Sequence, residues 1–236
     1  MDAYEQTAFA YDIVHASRGR DDEAQSARVA EIVRARRPSA KTLLDVACGT
    51  GAHLQHFQRE FAVAGVDLSE AMLRRARERL PDVELHQGDM RSFTLDRTFD
   101  AVTCLFSSIG YLLTLDDVAL AVANMRGHLV DGGVLIVEPW IHPAEWRDGH
   151  RVAEAGNAEG VAVARVSVSG RRGTTSWFDL YWTTATDDGV DSVIEHHELG
   201  LYTVEEYTDA LTSAGFAVEH DPVGLIGRGL FIASAC

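Results

Sequence analysis

The chain has 236 residues, 46% of them apolar and 24% charged, with a formal charge of −15; these are the proportions of an ordinary globular domain, and the acidity argues against a broad nucleic-acid footprint, which needs a basic face. No run of about 18 uninterrupted apolar residues is present to span a bilayer, and Met1-Asp2-Ala3-Tyr4-Glu5 lacks the basic and apolar regions of a signal peptide. Cys48, Cys104 and Cys236 follow neither C-x-x-C nor metal-ligand spacing, so no metal is expected, and Cys48 and Cys104 read as small buried hydrophobes in a reducing cytoplasm.

In chain order, a helical cap is expected over 21–36, closed by Arg36-Arg37-Pro38. The apolar run 42–47 reads as a strand buried on both faces of a parallel sheet, followed by a helix over 53–61. A second strand spans 62–67, and Ser69 caps a helix over 70–80 that Pro81 stops. Strands at 83–87, 100–106 and 134–138 and a helix over 115–129 continue the alternation. Such an order implies an α/β doubly wound sheet, mostly parallel and covered by helices on both faces. Between 150 and 201 the pattern changes to alternation with turn chemistry, and Asp188-Gly189 is a hairpin signal, so an antiparallel meander is inserted there. A helix over 204–214 and strands at 216–220 and 229–234 complete the sheet. One domain is expected over 1–236, with a helical N-terminal cap over 1–40 and the antiparallel insert over about 145–201.

The chemistry concentrates at the carboxyl ends of these strands, where open α/β sheets bind ligands. Strand one runs into Asp45-Val46-Ala47-Cys48-Gly49-Thr50-Gly51, whose glycines let the backbone turn sharply and approach a ligand closely. Strand two ends in Asp67, placed to accept hydrogen bonds from a ribose diol. A dinucleotide fingerprint would need a third glycine where Leu54 stands, and no phosphate loop of the G-x-x-x-x-G-K-[ST] type occurs, so the nucleoside has no phosphate cradle here. Gly88-Asp89-Met90 follows strand three in the same way; a turn aspartate is the plainer reading of Asp89. Phe106 either packs on a base or closes the core. Phe106-Ser107-Ser108-Ile109-Gly110-Tyr111 offers hydroxyls and a phenol, with no N-P-P-Y or Pro-Cys signature, and Cys104 is inside its strand, so a covalent mechanism is not expected.

D-x-x-C-G-T-G resembles motif I of the class I S-adenosylmethionine-dependent methyltransferases, a Rossmann-like fold built on a mostly parallel seven-stranded sheet. Tyr11-Asp12-Ile13-Val14-His15 with Gly19-Arg20-Asp21, the glycine turn, His86-Gln87-Gly88-Asp89-Met90-Arg91, the 106–111 segment, Val137-Glu138-Pro139-Trp140 and Gly227-Arg228-Gly229-Leu230-Phe231 together resemble the N-methyltransferases that dimethylate thymidine-diphosphate (dTDP) amino-deoxysugars in antibiotic biosynthesis. The resemblance runs from about residue 4 to 233 and is weakest over 145–200. It implies that S-adenosylmethionine lies against Tyr11, Arg20, Asp45, Ala47, Gly49, Gly51, Asp67, Leu68, Asp89, Met90 and Phe106, with Asp89 reading the adenine amino group. It implies a dTDP-amino sugar held by Ser107, Ser108, Trp140, Tyr181 and Arg228, the last set between two glycines and suited to a diphosphate. Tyr111, His142 and Tyr4 are the candidates near the reacting amine; His142 has the more suitable intrinsic pKa and Tyr111 the better position. Tyr4 stands one residue closer to Tyr11 than its counterpart does, His142 replaces an aromatic, and Leu225-Ile226 replace a Pro-Ser-like pair, all of which bear on the sugar's identity. Arg171-Arg172 at a hairpin turn and Trp182 on the meander have both solvated or core readings and ligand readings. Other acceptors, a glycine-type amine or an aglycone, and a non-catalytic cofactor-binding module stay open, as does the assembly state, a homodimer included.

Overall fold

Leu43 and Leu44 on the first strand are both fully buried, one against each face of the central sheet, and this two-sided burial is what its apolar sequence predicts. The computed structural model describes residues 4–158 and 160–236; Met1–Ala3, on which part of the leader reading rests, lie outside the described residues. Helices α1 (Ala8–Ser17) and α2 (Asp22–Arg36) precede strand β1 (Thr42–Val46), helix α3 (Leu54–Phe57), β2 (Ala62–Asp67), α4 (Glu70–Arg79), β3 (Glu84–Gln87) and β4 (Phe99–Cys104). A single 3-10 turn, Ser108–Tyr111, leads to α5 (Leu115–Gly127) and β5 (Leu129–Val137). Four strands follow, β6 (Arg151–Ala158), β7 (Val161–Arg172), β8 (Thr175–Thr186) and β9 (Gly189–Gly200), and then α6 (Val204–Ser213), β10 (Phe216–Asp221) and β11 (Leu230–Ala235).

The main sheet has the order β10-β11-β5-β4-β1-β2-β3. It is parallel from β5 to β3, with β10 and β11 antiparallel at one edge. The chain winds from β1 outward to β3 and then returns to β4 on the other side of β1. The strand order therefore reverses between β1 and β4, and a crevice opens at their carboxyl ends. Helices start where their caps say: the Asp21, Ser69, Thr114 and Thr203 side chains each accept a backbone N–H in the first turn, and Thr203 with Glu206 forms a full capping box.

β6 to β9 form a separate antiparallel sheet in chain order. Its inner face, carrying Val163, Leu180 and Trp182, packs on Ala10 and Val14 of α1. Helix α1 is an element the sequence reading did not separate from the 21–36 cap, and it lies against both β6 and α4. The helix expected over 53–61 is confined to Leu54–Phe57, and β1 stops at Val46 because Ala47 adopts a left-handed φ of 59°.

Candidate active site

After β1 the backbone turns through Ala47, Gly49 and Gly51, all at positive φ. A Cβ on Gly49 would meet no atom within 4 Å, so its bare backbone faces an open cavity. Gly51 differs. A Cβ there would lie 2.9 Å from Leu80 Cδ1 and 3.4 Å from Ala76 Cβ, so this glycine lets α4 pack on the turn and, contrary to the expectation, does not line the cavity. Asp67 accepts from Gly49 N–H at 2.7 Å on one oxygen and from Ser69 N–H at 2.8 Å on the other. Those bonds fix the carboxylate at the rim, where a ribose diol would meet it. Asp45 is buried beside it, accepts from Thr103 Oγ1 at 2.6 Å, and is pushed up to about 7 by burial.

The cavity at this edge measures about 780 Å³ and takes in Tyr4, Tyr11, Arg20, Asp45, Ala47, Gly49, Asp67, Leu68, Asp89, Met90 and Phe106. Leu68, 65% exposed, and Leu113, 39% exposed, leave apolar surface bare on its wall; Leu113 was not anticipated. Asp89 is gripped by Arg91, whose Nε and NH2 donate at 3.0 and 2.6 Å and hold the carboxyl below the usual range, and Arg91 reaches Asp117 at 2.9 Å. Arg20 donates to Asp22 at 2.5 Å, and its guanidinium lies 4.1 Å over the Phe106 ring. Helix α1 is stapled to the glycine turn, because Asp12 accepts from Thr50 Oγ1 at 2.8 Å and from Arg79 NH2 at 2.5 Å. A bare turn, a rim carboxylate for a ribose, apolar surface for a base and an arginine for an aminoacyl carboxylate fit S-adenosylmethionine part by part.

A second cavity of about 400 Å³ lies between the crevice and the inner face of the β6–β9 sheet. Arg228 sits 4.5 Å over the Trp140 ring and donates to Ser107 Oγ at 2.8 Å, and Ser107 in turn donates to the Pro139 carbonyl at 2.6 Å. Ser107 is 1% exposed with its hydroxyl already committed, so it positions Arg228. Phe106 and Ser107 occupy left-handed φ of 53° and 62°. The fully buried Glu138 holds that strained corner by accepting from Phe106 N–H at 2.7 Å. The buried Arg165 pairs with the partly buried Glu154 at 2.5 Å, and Arg18 joins Glu154 at 3.0 Å.

Tyr4, Tyr11, Phe106, Ser108 and Tyr111 line both cavities and so form their common wall. Tyr4 and Tyr111 join through their hydroxyls at 2.5 Å. Two further expectations are corrected. His142 lines neither cavity; it sits in the turn after Trp140, where its Nδ1 accepts from Ala144 N–H at 3.2 Å. Tyr181 points to the outer face of β8, in register with Val166 and Ile194, while its neighbours Leu180 and Trp182 face inward. The histidine at the wall is His197 of β9, buried, with Nδ1 3.0 Å from Tyr111 Oη. Its spacing from Glu195 along a strand was the available signal, since residues two apart share a face.

A doubly wound sheet with this turn and these acids at its switch point, opening onto a second polar cavity, defines a methyltransferase that uses S-adenosylmethionine. A methyltransferase-domain profile matches residues 43–133. The chain is 47% identical, over 94% of both chains, to the dTDP-3-amino-3,4,6-trideoxy-alpha-D-glucopyranose N,N-dimethyltransferase of Streptomyces venezuelae. It is 43% identical, over 94% of its own length and 90% of the relative's, to the dTDP-4-amino-2,3,4,6-tetradeoxy-D-glucose N,N-dimethyltransferase of Saccharopolyspora spinosa. The S-adenosylmethionine-bound structure of CalS10, an amino pentose methyltransferase from Micromonospora echinaspora involved in calicheamicin biosynthesis, superposes with a TM-score of 0.86 at 43% identity, covering 96% of this chain and 97% of that one. The chain belongs to this family of S-adenosylmethionine-dependent sugar N-methyltransferases.

Proposed function

We propose that the chain methylates the amino group of a dTDP-linked amino-deoxysugar, twice in succession, in antibiotic biosynthesis. The observation that carries this reading is the charge of the second cavity: Arg18, Arg147, Arg165 and Arg228 line it against Glu145 and Glu154, in a chain whose formal charge is −15. A diphosphate answers such an excess of cations, whereas a glycine-type amine or a neutral aglycone does not. His15, pushed down to about 2 by burial and nearby arginines, adds a neutral wall. Trp140, Trp146 and Phe178 supply aromatic surface for a pyrimidine, with ring centroids 6.0 to 6.4 Å apart.

Bound S-adenosylmethionine supplies a methyl group already activated on a sulfonium. The protein's share is alignment and exclusion of water, worth several kcal/mol when reacting atoms are held near 3–3.5 Å. Arg228, fixed by Ser107 and Trp140, anchors the substrate's anionic end, and the Tyr4–Tyr111 pair marks the amine's place between the cavities. Incubation with S-adenosylmethionine and a dTDP-amino sugar, followed by mass spectrometry, tests the reading. Sequential mono- and dimethyl products support it, and methylation of a simple amine in their place sinks it.

The outer face of the β6–β9 sheet carries Val166, Tyr181 and Ile194 exposed in one row across three strands, which supports a homodimer built through that face. Sedimentation of Tyr181→Glu tests this, and an unchanged sedimentation coefficient refutes it. We place the protein in the cytoplasm, in keeping with free thiols at Cys48 and Cys104; among the described residues no helix is long and apolar enough to cross a membrane. Cell fractionation checks the compartment.

A further inference from the structure

Each methyl transfer to an amine leaves an ammonium. The N lone pair forms the new N–C bond, the S–C bond breaks with its electrons going to sulfur, and the nitrogen must shed a proton before a second methyl can be added. We propose that His197, backed by Glu195, receives that proton through the hydroxyls of Tyr4 and Tyr111. The inference rests on the amine-methylation reading above.

The geometry is a continuous chain. Tyr4 Oη lies 2.5 Å from Tyr111 Oη, Tyr111 Oη lies 3.0 Å from His197 Nδ1, and His197 Nε2 lies 3.3 Å from Glu195 Oε2. Its two ends differ. The phenols stand at the wall between the cavities, while Glu195 and His197 are buried at 5% and 3% exposure. Trp182 Nε1 donates to Glu195 at 2.9 Å, and the Thr7 hydroxyl donates to its other oxygen. A tryptophan N–H can only donate, so Glu195 is held as an acceptor. That assigns the imidazole proton to Nε2 and turns the Nδ1 lone pair toward Tyr111. Phe178 stacks on the imidazole at 5.2 Å, and the Tyr4 ring covers another side at 5.5 Å.

Several groups close to the wall are poorer acceptors. Burial raises the pKa of both Tyr4 and Tyr111, so they remain phenols and can pass a proton on but not keep it. His15 is pushed down to about 2. Asp45, pushed up to about 7, lines the cofactor cavity only and is engaged by Thr103. Arg165, a buried cation on the same sheet, lies 4.8 Å over Trp182 and is neutralised by Glu154. In the step itself, the ammonium N–H gives its proton to a phenol oxygen and its electron pair stays on nitrogen. The phenol's own proton moves on, and His197 becomes imidazolium facing the Glu195 carboxylate.

The test compares wild type, His197→Gln and Glu195→Gln. His197→Gln is expected to lower kcat about 100-fold with the KM for the nucleotide sugar unchanged. Its log kcat should rise with pH across the range where the wild type is level, because solvent hydroxide then takes over the proton. Glu195→Gln should show the same split at about tenfold. Equal losses in kcat and KM with no change of pH profile would mark a structural role and overturn the proposal. Binding of S-adenosylhomocysteine reports whether each variant is folded, and if one fails, the other carries the kinetic test. A readout independent of turnover is the 15N spectrum of His197 with S-adenosylhomocysteine bound. The imidazole should become imidazolium when an amino-sugar nucleotide is added but not its hydroxyl analogue, and identical spectra would overturn the relay. If the wild type transfers no methyl to any amino-sugar nucleotide, the substrate reading fails instead.

Discussion

Replacing Gly49 and Gly51 separately by alanine divides the two jobs of the turn after β1. Both residues have positive φ, 56° and 75°, so either alanine costs about 1–2 kcal/mol for the left-handed backbone. At Gly51 the new methyl would also press on Leu80 Cδ1 at 2.9 Å and Ala76 Cβ at 3.4 Å, adding roughly 1–3 kcal/mol of overpacking. Leu80 Cδ1 is the far end of a flexible side chain, which places the sum near 3 kcal/mol and the fall in Tm at roughly 6–12 °C for a chain of this size. At Gly49 no atom lies within 4 Å, so only the backbone cost acts on stability, about 2–8 °C. Its methyl, however, enters the space a cofactor fills and should weaken binding about tenfold or more. Thermal unfolding without ligand and calorimetric titration of S-adenosylhomocysteine measure the two effects. Gly51→Ala should show the larger Tm loss with affinity kept within about threefold, and Gly49→Ala the reverse. A Gly51→Ala protein with unchanged Tm and weakened binding would refute the division.

Asp67→Asn presents an amide N–H₂ to either Gly49 N–H or Ser69 N–H, so S-adenosylhomocysteine affinity should fall about 10- to 100-fold in the same titration. Arg228→Ala should raise the KM for a nucleotide sugar by roughly 10- to 100-fold, the worth of a charge-assisted hydrogen bond, and leave cofactor affinity intact. Burial pushes His15 and His53 down to about 2 and 3, so below the ordinary histidine pKa only the unfolded chain takes up their protons. Stability should therefore fall on acidification, by roughly 2 kcal/mol per group at pH 5, and His53→Gln should flatten the acid limb of a plot of unfolding free energy against pH.

The crevice was legible in the sequence because its determinants are local: Asp45 to Gly51 and Asp67 each follow directly from a strand whose burial shows in its composition. Which glycine faces the ligand was not legible, since that depends on where α4 packs. Tyr181 was misplaced because Leu180-Tyr181-Trp182 is apolar throughout and carries no parity signal, and a shift of one residue exchanges the faces of a strand. His142 lies close to Trp140 in sequence, yet the chain after Pro139 leads it away from the wall. His197 reaches Tyr111 across 86 positions, and only the folded meander brings the two together. The second cavity's arginines, drawn from Arg18, Arg147, Arg165 and Arg228, are equally non-local, which is why a strongly acidic chain concealed a cationic pocket.

The central claim is the acceptor, and the most direct measurement is mass spectrometry of dTDP-amino sugars after incubation with the purified chain and S-adenosylmethionine. The account predicts a monomethyl product that is consumed as a dimethyl product accumulates, both lost in Arg228→Ala at low substrate. Tight S-adenosylhomocysteine binding with no methyl reaching the amine of any nucleotide sugar would contradict it.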